Sequence, residues 1–215
     1  MKLVMVGAPL SGKGSISELI TKDYNIVHIS TGDIFRDLVT KDTPLALKVK
    51  EYMDKSILVP DEITCQVVTE RLKQPDLKNG FVLDGFPRTV EQAEYFSKHV
   101  TLDKVIVIDE KLEVLIERAT TRRVCSNCKK IFNIKRENIT DNTCTVCGSP
   151  LVTRKDDSAE IVTKRYEEYL EKTGPVIEYY EKMGIVSHLT GGELYKNYAE
   201  VKVILENLKN DWIKK

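Results

Sequence analysis

Apolar and polar positions along the chain follow two periods. Residues 2–6 are a short apolar run that stops at Gly7-Ala8-Pro9, which predicts a buried strand closed by a turn. From Ser15 onward, Ile16, Leu19 and Ile20 recur at helical spacing, so strand, glycine-rich turn and helix follow one another directly. Residues 26–29 predict a second strand, after which Ser30-Thr31-Gly32-Asp33 caps a helix with Ile34, Leu38 and Val39 on one face. Helices over 44–54 and 60–73 come next, the second opened by Pro60-Asp61-Glu62. Residues 81–83 and 105–108 are continuous apolar runs, the pattern of strands covered on both faces. Beyond them the periodicity predicts helices over 113–123 and 159–182, a strand over 186–189 and a closing helix over 199–212.

Strands that alternate with helices and are apolar throughout imply an α/β fold built on a doubly wound parallel sheet. Residues 125–151 depart from this: cysteine, asparagine and threonine replace apolar periodicity, as in an insertion held by something other than a core. A length of 215 residues suits one main domain carrying such insertions. Thirty-three basic and 33 acidic residues leave no global field that would attract nucleic acid or an anionic membrane. The longest aliphatic stretch, 105–108, is far short of a bilayer span, and the N-terminal apolar run is too short for a secretory signal. The expectation is a cytoplasmic protein.

Gly7-Ala8-Pro9-Leu10-Ser11-Gly12-Lys13 matches G-x-x-x-x-G-K, and its place between a predicted strand and a predicted helix raises it above a turn that merely contains glycines. Backbone N–H groups of such a loop wrap a phosphate, the helix N-terminus adds partial positive charge, and the lysine reaches the outer phosphates. After Lys13 stands Gly14, with the hydroxyl one residue later at Ser15.

Four of five cysteines form two C-x-x-C pairs, Cys125/Cys128 and Cys144/Cys147, separated by residues 129–143. That spacing suits tetrahedral, structural zinc with four thiolates, and such a site can fold an insertion too poor in apolar residues to fold alone. Redox exchange is the rival, but it calls for one pair beside a βαβ unit rather than two in tandem. A zinc ribbon can also bind nucleic acid. Lys129, Lys130, Lys135 and Arg136 would permit it, but only Phe132 could stack a base, so that reading ranks low. Cys65, in the helix after Pro60, reads as a small buried hydrophobe.

Only nine of the 33 basic residues are arginine, yet arginine concentrates at few places: Arg36, Arg88, Arg118, Arg122, Arg123, Arg154 and Arg165. Its planar fork binds phosphate oxygens in a bidentate way that lysine cannot. Arg118 and Arg122 fall at i, i+4 of a predicted helix, while Arg71 and Arg136 read as partners in surface ion pairs. Asp84 lies at the C-terminal end of a buried strand, where open α/β sheets meet their ligands, as a partner of Mg²⁺ or else a helix cap. Asp156 and Asp157 either orient Arg122 and Arg154 or are simply solvated. His28, His99 and His188 have neither metal spacing nor a nucleophile partner, and Trp212 reads as a packing anchor.

Taken in order, Gly7-Ala8-Pro9-x-Ser11-Gly12-Lys13-Gly14, Ser30-Thr31-Gly32-Asp33-x-x-Arg36, Asp84-Gly85-Phe86-Pro87-Arg88-Thr89-x-x-Gln92, Arg122-Arg123, the cysteine pairs, Arg154-Lys155-Asp156-Asp157 and Arg165 resemble the adenylate kinases of the long, zinc-containing lid type over nearly the whole chain. The resemblance implies a P-loop nucleoside monophosphate kinase fold. A core of 1–29, 60–121 and 160–215 would carry an AMP-binding segment at 30–59 and a lid at 122–159. It implies that Thr31, Arg36, Ile57, Leu58, Val59, Gly85, Phe86, Pro87, Arg88 and Gln92 hold AMP, with Gln92 reading the adenine edge. Leu10, Ser11, Gly12, Lys13, Gly14 and Ser15, with Arg118, Arg122, Ile131 and Phe132, would hold ATP. Arg154 and Arg165 would reach the phosphates from the lid side, so that Lys13, Arg36, Arg88, Arg122, Arg154 and Arg165 are the catalytic cations. Cys125, Cys128, Cys144 and Cys147 would hold structural zinc. Mg²⁺ would enter with ATP, with Asp84 as its partner through water. The implied partners are ATP, AMP and ADP, bound by a monomer without nucleic acid or membrane.

Two positions depart from the family: Leu10 stands where glycine is usual and Ser15 where threonine is. Leu10 is expected at negative φ, packed on the neighbouring core and unstrained. The competing readings are a relative acting on another nucleoside monophosphate or drawing on GTP, and a zinc-ribbon nucleic-acid-binding protein with an ancillary NTPase fold.

Overall fold

The structure, a computed structural model, describes the chain apart from Ser56, Lys214, Lys215 and the side chains of 211–213. The anchoring expected of Trp212 therefore lies outside the described residues. Five strands, β1 (Lys2–Gly7), β2 (Val27–Ser30), β3 (Phe81–Asp84), β4 (Lys104–Ile108) and β8 (Val186–Leu189), form a wholly parallel sheet in the order β2-β3-β1-β4-β8. Successive strand residues face opposite sides, and both sides are apolar. Val4 and Val6 join Leu83, Val105 and Val107 under α4 (Asp61–Leu72), α5 (Val90–Ser97) and α8 (Gly174–Glu181). Leu3 and Met5 join Val82, Ile106 and Ile108 under α1 (Lys13–Tyr24) and α9 (Leu194–Ile213). The doubly wound architecture follows from that two-sided burial.

Capping fixes where helices start. The side chains of Ser30, Thr43, Thr89 and Ser158 each accept a backbone N–H at the start of α2 (Thr31–Leu38), α3 (Pro44–Asp54), α5 and α7 (Ala159–Glu168). The short helix α5 was not evident from periodicity, because its buried side chains are only Gln92, Ala93 and Phe96.

Three boundaries differ from the expected ones. Helix α6 (Leu112–Thr121) stops before Arg122, which opens β5 (Arg122–Cys125), so Arg118 and Arg122 do not share a helix face. The helix expected over 159–182 is interrupted by a π turn at Tyr169–Thr173, closed by the Gly174 N–H on the Tyr169 carbonyl. Pro175 accounts for the interruption, since it lacks an N–H and its ring crowds the carbonyl four residues back. Helix α9 begins at Leu194, after Gly191 and Gly192 turn the chain at positive φ.

The cysteine-rich insertion is a small antiparallel sheet of β5, β6 (Ile131–Asn133) and β7 (Leu151–Val152). Its core consists of Cys125, Phe132, Cys144 and Leu151. No described helix is long and apolar enough to cross a membrane.

On the β8 edge, His188 places Nδ1 2.8 Å from Asp109 Oδ2 and Nε2 3.1 Å from Glu181 Oε1. The bond to Asp109 foremost, then that to Glu181, raises the His188 pKa. A pKa raised on folding contributes stability below the unfolded value of about 6.5 and loses it as pH climbs through the folded value. Urea denaturation should therefore show His188→Asn destabilising the protein more at pH 5.5 than at pH 9, modestly, because all three groups are solvent-screened.

Candidate active site

The site grows from the C-terminal edge of the parallel sheet, where an open α/β fold presents its loops. β1 runs into residues 8–12, and Gly12, at φ 99°, begins α1 with no side-chain cap. The first N–H groups of α1 are thus left for an anionic ligand. Lys13, the first residue of α1, donates from Nζ to the Ala8 carbonyl at 3.1 Å. Burial, joined by the fields of Arg88, Arg165 and Arg122 and opposed by Asp84, lowers the Lys13 pKa to about 8.

Asp84 ends β3 beside the phosphate loop, with an Oδ2 3.8 Å from His28 Nε2. Burial alone would raise its pKa, but Lys13, then His28 and Arg88, outweigh burial and hold the carboxyl below its ordinary value. Asp84 Oδ1 is buried without a hydrogen-bond partner among the described residues. An ionised, unsatisfied carboxylate oxygen at this edge suits a hydrated cation.

Gly85 follows at φ 84°, and a Cβ there would come within 2.5 Å of Thr31 Oγ1 and 3.2 Å of Arg88 Nη2. Only glycine lets the loop bring those two side chains so near. Arg88 donates from Nε to the Gly85 carbonyl at 2.8 Å, and its backbone N–H donates to Gln92 Oε1 at 2.7 Å. Burial, then Arg165, lowers its pKa to about 10. Arg154, between β7 and α7, is likewise lowered to about 10 by burial, then by Arg122 and Arg36. Arg36 is paired with Asp33 at 2.5 Å, Arg165 with Asp156 at 2.6 Å and Arg122 with Asp157, whose Oδ2 accepts Nε at 2.8 Å. Six cations from six segments are thus linked through their fields, each lying within range of at least two of the others. A cavity beside them is lined by Lys13, Leu58, Gly85, Phe86, Pro87, Arg88 and Arg165, with Glu168, Tyr169 and Thr173.

Some expected contacts are differently engaged. Asp156 pairs with Arg165, not Arg154, which has no carboxylate partner among the described residues. Arg118 sits behind the phosphate loop, its Nη1 donating to the Leu10 and Ser11 carbonyls and its Nη2 to Glu110 and the Gly192 carbonyl. Gln92 has its amide spent on Arg88 and on Asp61 Oδ1, 2.7 Å away, so in this conformation it braces the Arg88 loop. Thr31 donates to the Asp84 carbonyl at 3.3 Å, Val59 is buried against Phe35, Val49 and Ile63, and Ile57 is exposed outside the cavity lining. The Phe132 ring, expected beside ATP, is 1% exposed inside the insertion's core, while neighbouring Ile131 is exposed.

Leu10 overturns its expectation in one half and meets it in the other. Its φ is +70°, the left-handed region, although the side chain does pack on the cluster of Ala8, Leu115, Ala119 and Val162. The turn of residues 8–12, with the Leu10 carbonyl held by Arg118 at 3.0 Å, sets this conformation over leucine's own preference. Asp61, Glu110, Glu168, Tyr169 and Thr173 were not singled out from the sequence. The Gly174-Pro175 break was the one available signal for the last three.

In the insertion, the Sγ atoms of Cys125, Cys128, Cys144 and Cys147 all lie within 4.8 Å of one another, and none is in a disulfide. Ligands at the zinc–thiolate distance around a tetrahedral ion stand roughly 3.8 Å apart. The Cys125–Cys147 and Cys128–Cys144 separations of 3.4 and 3.6 Å fit such a metal centre.

A model of the adenylate kinase family matches residues 5–185. The chain is 47% identical over 190 residues to the adenylate kinase of Ruminiclostridium cellulolyticum, covering 86% of this chain and 89% of that protein. It is 44% identical to that of Clostridium tetani, covering 94% of this chain and 98% of that protein. Against that of Carboxydothermus hydrogenoformans it is 45% identical over 213 residues, covering 96% of this chain and all of that protein.

Leu10→Gly and Leu10→Ala both remove the packed side chain, but only glycine relaxes the positive φ. Urea denaturation should place Leu10→Gly about 1 kcal/mol above Leu10→Ala in stability. The reverse order would mean that the loop holds residue 10 at negative φ.

Proposed function

Because the chain belongs to the adenylate kinase family, we propose that it transfers the terminal phosphoryl group of Mg-ATP reversibly to AMP, giving two ADP, within the cation-ringed cavity. The convergence of Lys13, Arg36, Arg88, Arg122, Arg154 and Arg165 carries this reading. The phosphate of AMP is already an anionic nucleophile, so the reaction needs no general base; positioning and charge neutralisation suffice. ATP and AMP together bring roughly six negative charges to one place, which the six cations offset.

Each side of the reaction has its own residues. The open start of α1, Gly12 and Lys13 receive the outer phosphates of ATP. Arg36 and Arg88 receive the phosphate of AMP, the Nη nitrogens of Arg88 being free of hydrogen bonds among the described residues. Arg122, Arg154 and Arg165 approach from the insertion side and lie where charge is shared between donor and acceptor during in-line transfer. Mg²⁺ would arrive with ATP, with Asp84 the residue to hold it, and would supply further neutralisation of the phosphates. In the insertion, Cys125, Cys128, Cys144 and Cys147 hold structural zinc, and residues 122–159 act as a lid that excludes water, the competing nucleophile. Residues 30–59 act as the AMP segment against a core formed by the remainder. Action as a monomer in the cytoplasm, on soluble nucleotides, belongs to the same reading.

A coupled assay of ADP formation from ATP with AMP, GMP, CMP or UMP tests the reading. AMP should be strongly preferred, and a preference for another acceptor or an absence of ADP overturns it. In the same assay Arg88→Lys should cut kcat to below a tenth, because one preorganised donor is typically worth ~10²–10³ and a point charge cannot replace a bidentate fork. Native mass spectrometry should find one zinc per chain, and Cys144→Ser should lose the metal and lower the Tm. Iron or no metal in the purified protein would contradict the zinc assignment.

A further inference from the structure

We propose that Thr173 is a positioning residue for phosphoryl transfer, tying the Arg88 loop to the helix that carries Arg165. The inference rests on the kinase reading above. Thr173 is buried, 6% exposed, and its Oγ1 donates to the Arg88 backbone carbonyl at 3.0 Å across 85 residues of sequence. The other two restraints on Arg88 are local: Nε on the Gly85 carbonyl and the backbone N–H on Gln92 Oε1. Phe86 of the loop after β3 packs in one cluster with Tyr169, Val176 and Tyr180, but among the described residues the Thr173 bond is the hydrogen bond that ties Arg88 itself to the segment running from α7 through the π turn into α8.

That segment also holds Arg165, one helical run before Thr173, and both residues line the cavity with Arg88. Arg88 and Arg165 are like charges that repel before an anion bridges them: after burial, Arg165 is the strongest influence lowering the pKa of Arg88, against the opposing fields of Asp84 and Glu168. A hydroxyl clamped on the Arg88 carbonyl resists the drift of the loop away from Arg165 that this repulsion favours. The π turn is the local device that makes the contact. Its extra residue per turn changes which side chain faces the loop, and such turns recur at functional sites. Removing the hydroxyl leaves the Arg88 carbonyl without this donor and the loop free to relax. Displacement of a phosphate-binding fork by even 1 Å is costly to a transfer that depends on alignment.

The test compares wild type, Thr173→Val and Thr173→Ser by steady-state kinetics with each nucleotide varied in turn, alongside thermal melts. Thr173→Val should raise the KM for AMP and lower kcat, reducing kcat/KM for AMP about tenfold or more, while the KM for ATP stays within about twofold. Thr173→Ser, which keeps the donor, should recover to within about threefold of wild type. If the valine variant does not fold, Thr173→Ala replaces it in the comparison with serine. A kcat/KM for AMP within about threefold of wild type in the variant lacking the hydroxyl overturns the proposal. So does an equal loss in the serine variant, or a loss shared equally by ATP and AMP. Wild-type protein that forms no ADP would overturn the kinase reading itself, whereas an active wild type with an indifferent Thr173 overturns only this inference.

Discussion

Mutual repulsion among six cations is the constraint on which this molecule turns. Lys13, Arg36, Arg88, Arg122, Arg154 and Arg165 come from well-separated parts of the chain, and left to themselves they would spread apart. Burial and neighbouring positive charge together depress the pKa of Lys13, Arg88 and Arg154. A site poised this way is energetically unfavourable until polyanions enter, so the surrounding structure must hold it open and aligned. That is electrostatic preorganisation seen from the side of its cost.

The means of holding are of two kinds, and only one of them is charge-for-charge. Asp33, Asp156 and Asp157 pair with Arg36, Arg165 and Arg122, but Lys13 and Arg88 are restrained chiefly through backbone carbonyls and amides. Carbonyls orient a cation without cancelling its charge, which keeps it available to phosphate. Arg118 plays the converse part: both its Nη nitrogens are engaged, by Glu110 and three carbonyls, and it acts on the turn of residues 8–12 from behind. The insertion follows the same economy of means. Four cysteines within 4.8 Å of one another allow one metal ion to organise a segment whose apolar core has few residues, so Arg122 and Arg154 can be presented from a small sheet.

The two-sided apolar strands made the doubly wound sheet legible, because a strand covered on both faces can only be satisfied by helices on both sides. The strand, glycine-rich turn and helix start of residues 2–24 were legible because their signal is local, with glycine, lysine and helix start adjacent in sequence. The cysteine pairs were legible because ligand spacing is itself a geometric statement. Helix α5 and the π turn were not. The first buries too few apolar residues to show a period, and the second is a compromise between helical periodicity and one proline.

Residue identity alone therefore determined which groups could bind phosphate and which could bind metal, along with the layer order that brings them to one edge. Tertiary structure decided how each was engaged. Arg122 left the helix for a strand, Asp156 took Arg165 rather than Arg154, and Gln92 turned its amide to Asp61. Leu10 adopted a φ of +70° that its own preference disfavours, because the loop around it and Arg118 beneath it set the backbone. Partner choice among several nearby charges depends on three-dimensional distances of an ångström or two. Such distances are fixed only once distant segments pack, and no local pattern in the sequence encodes them.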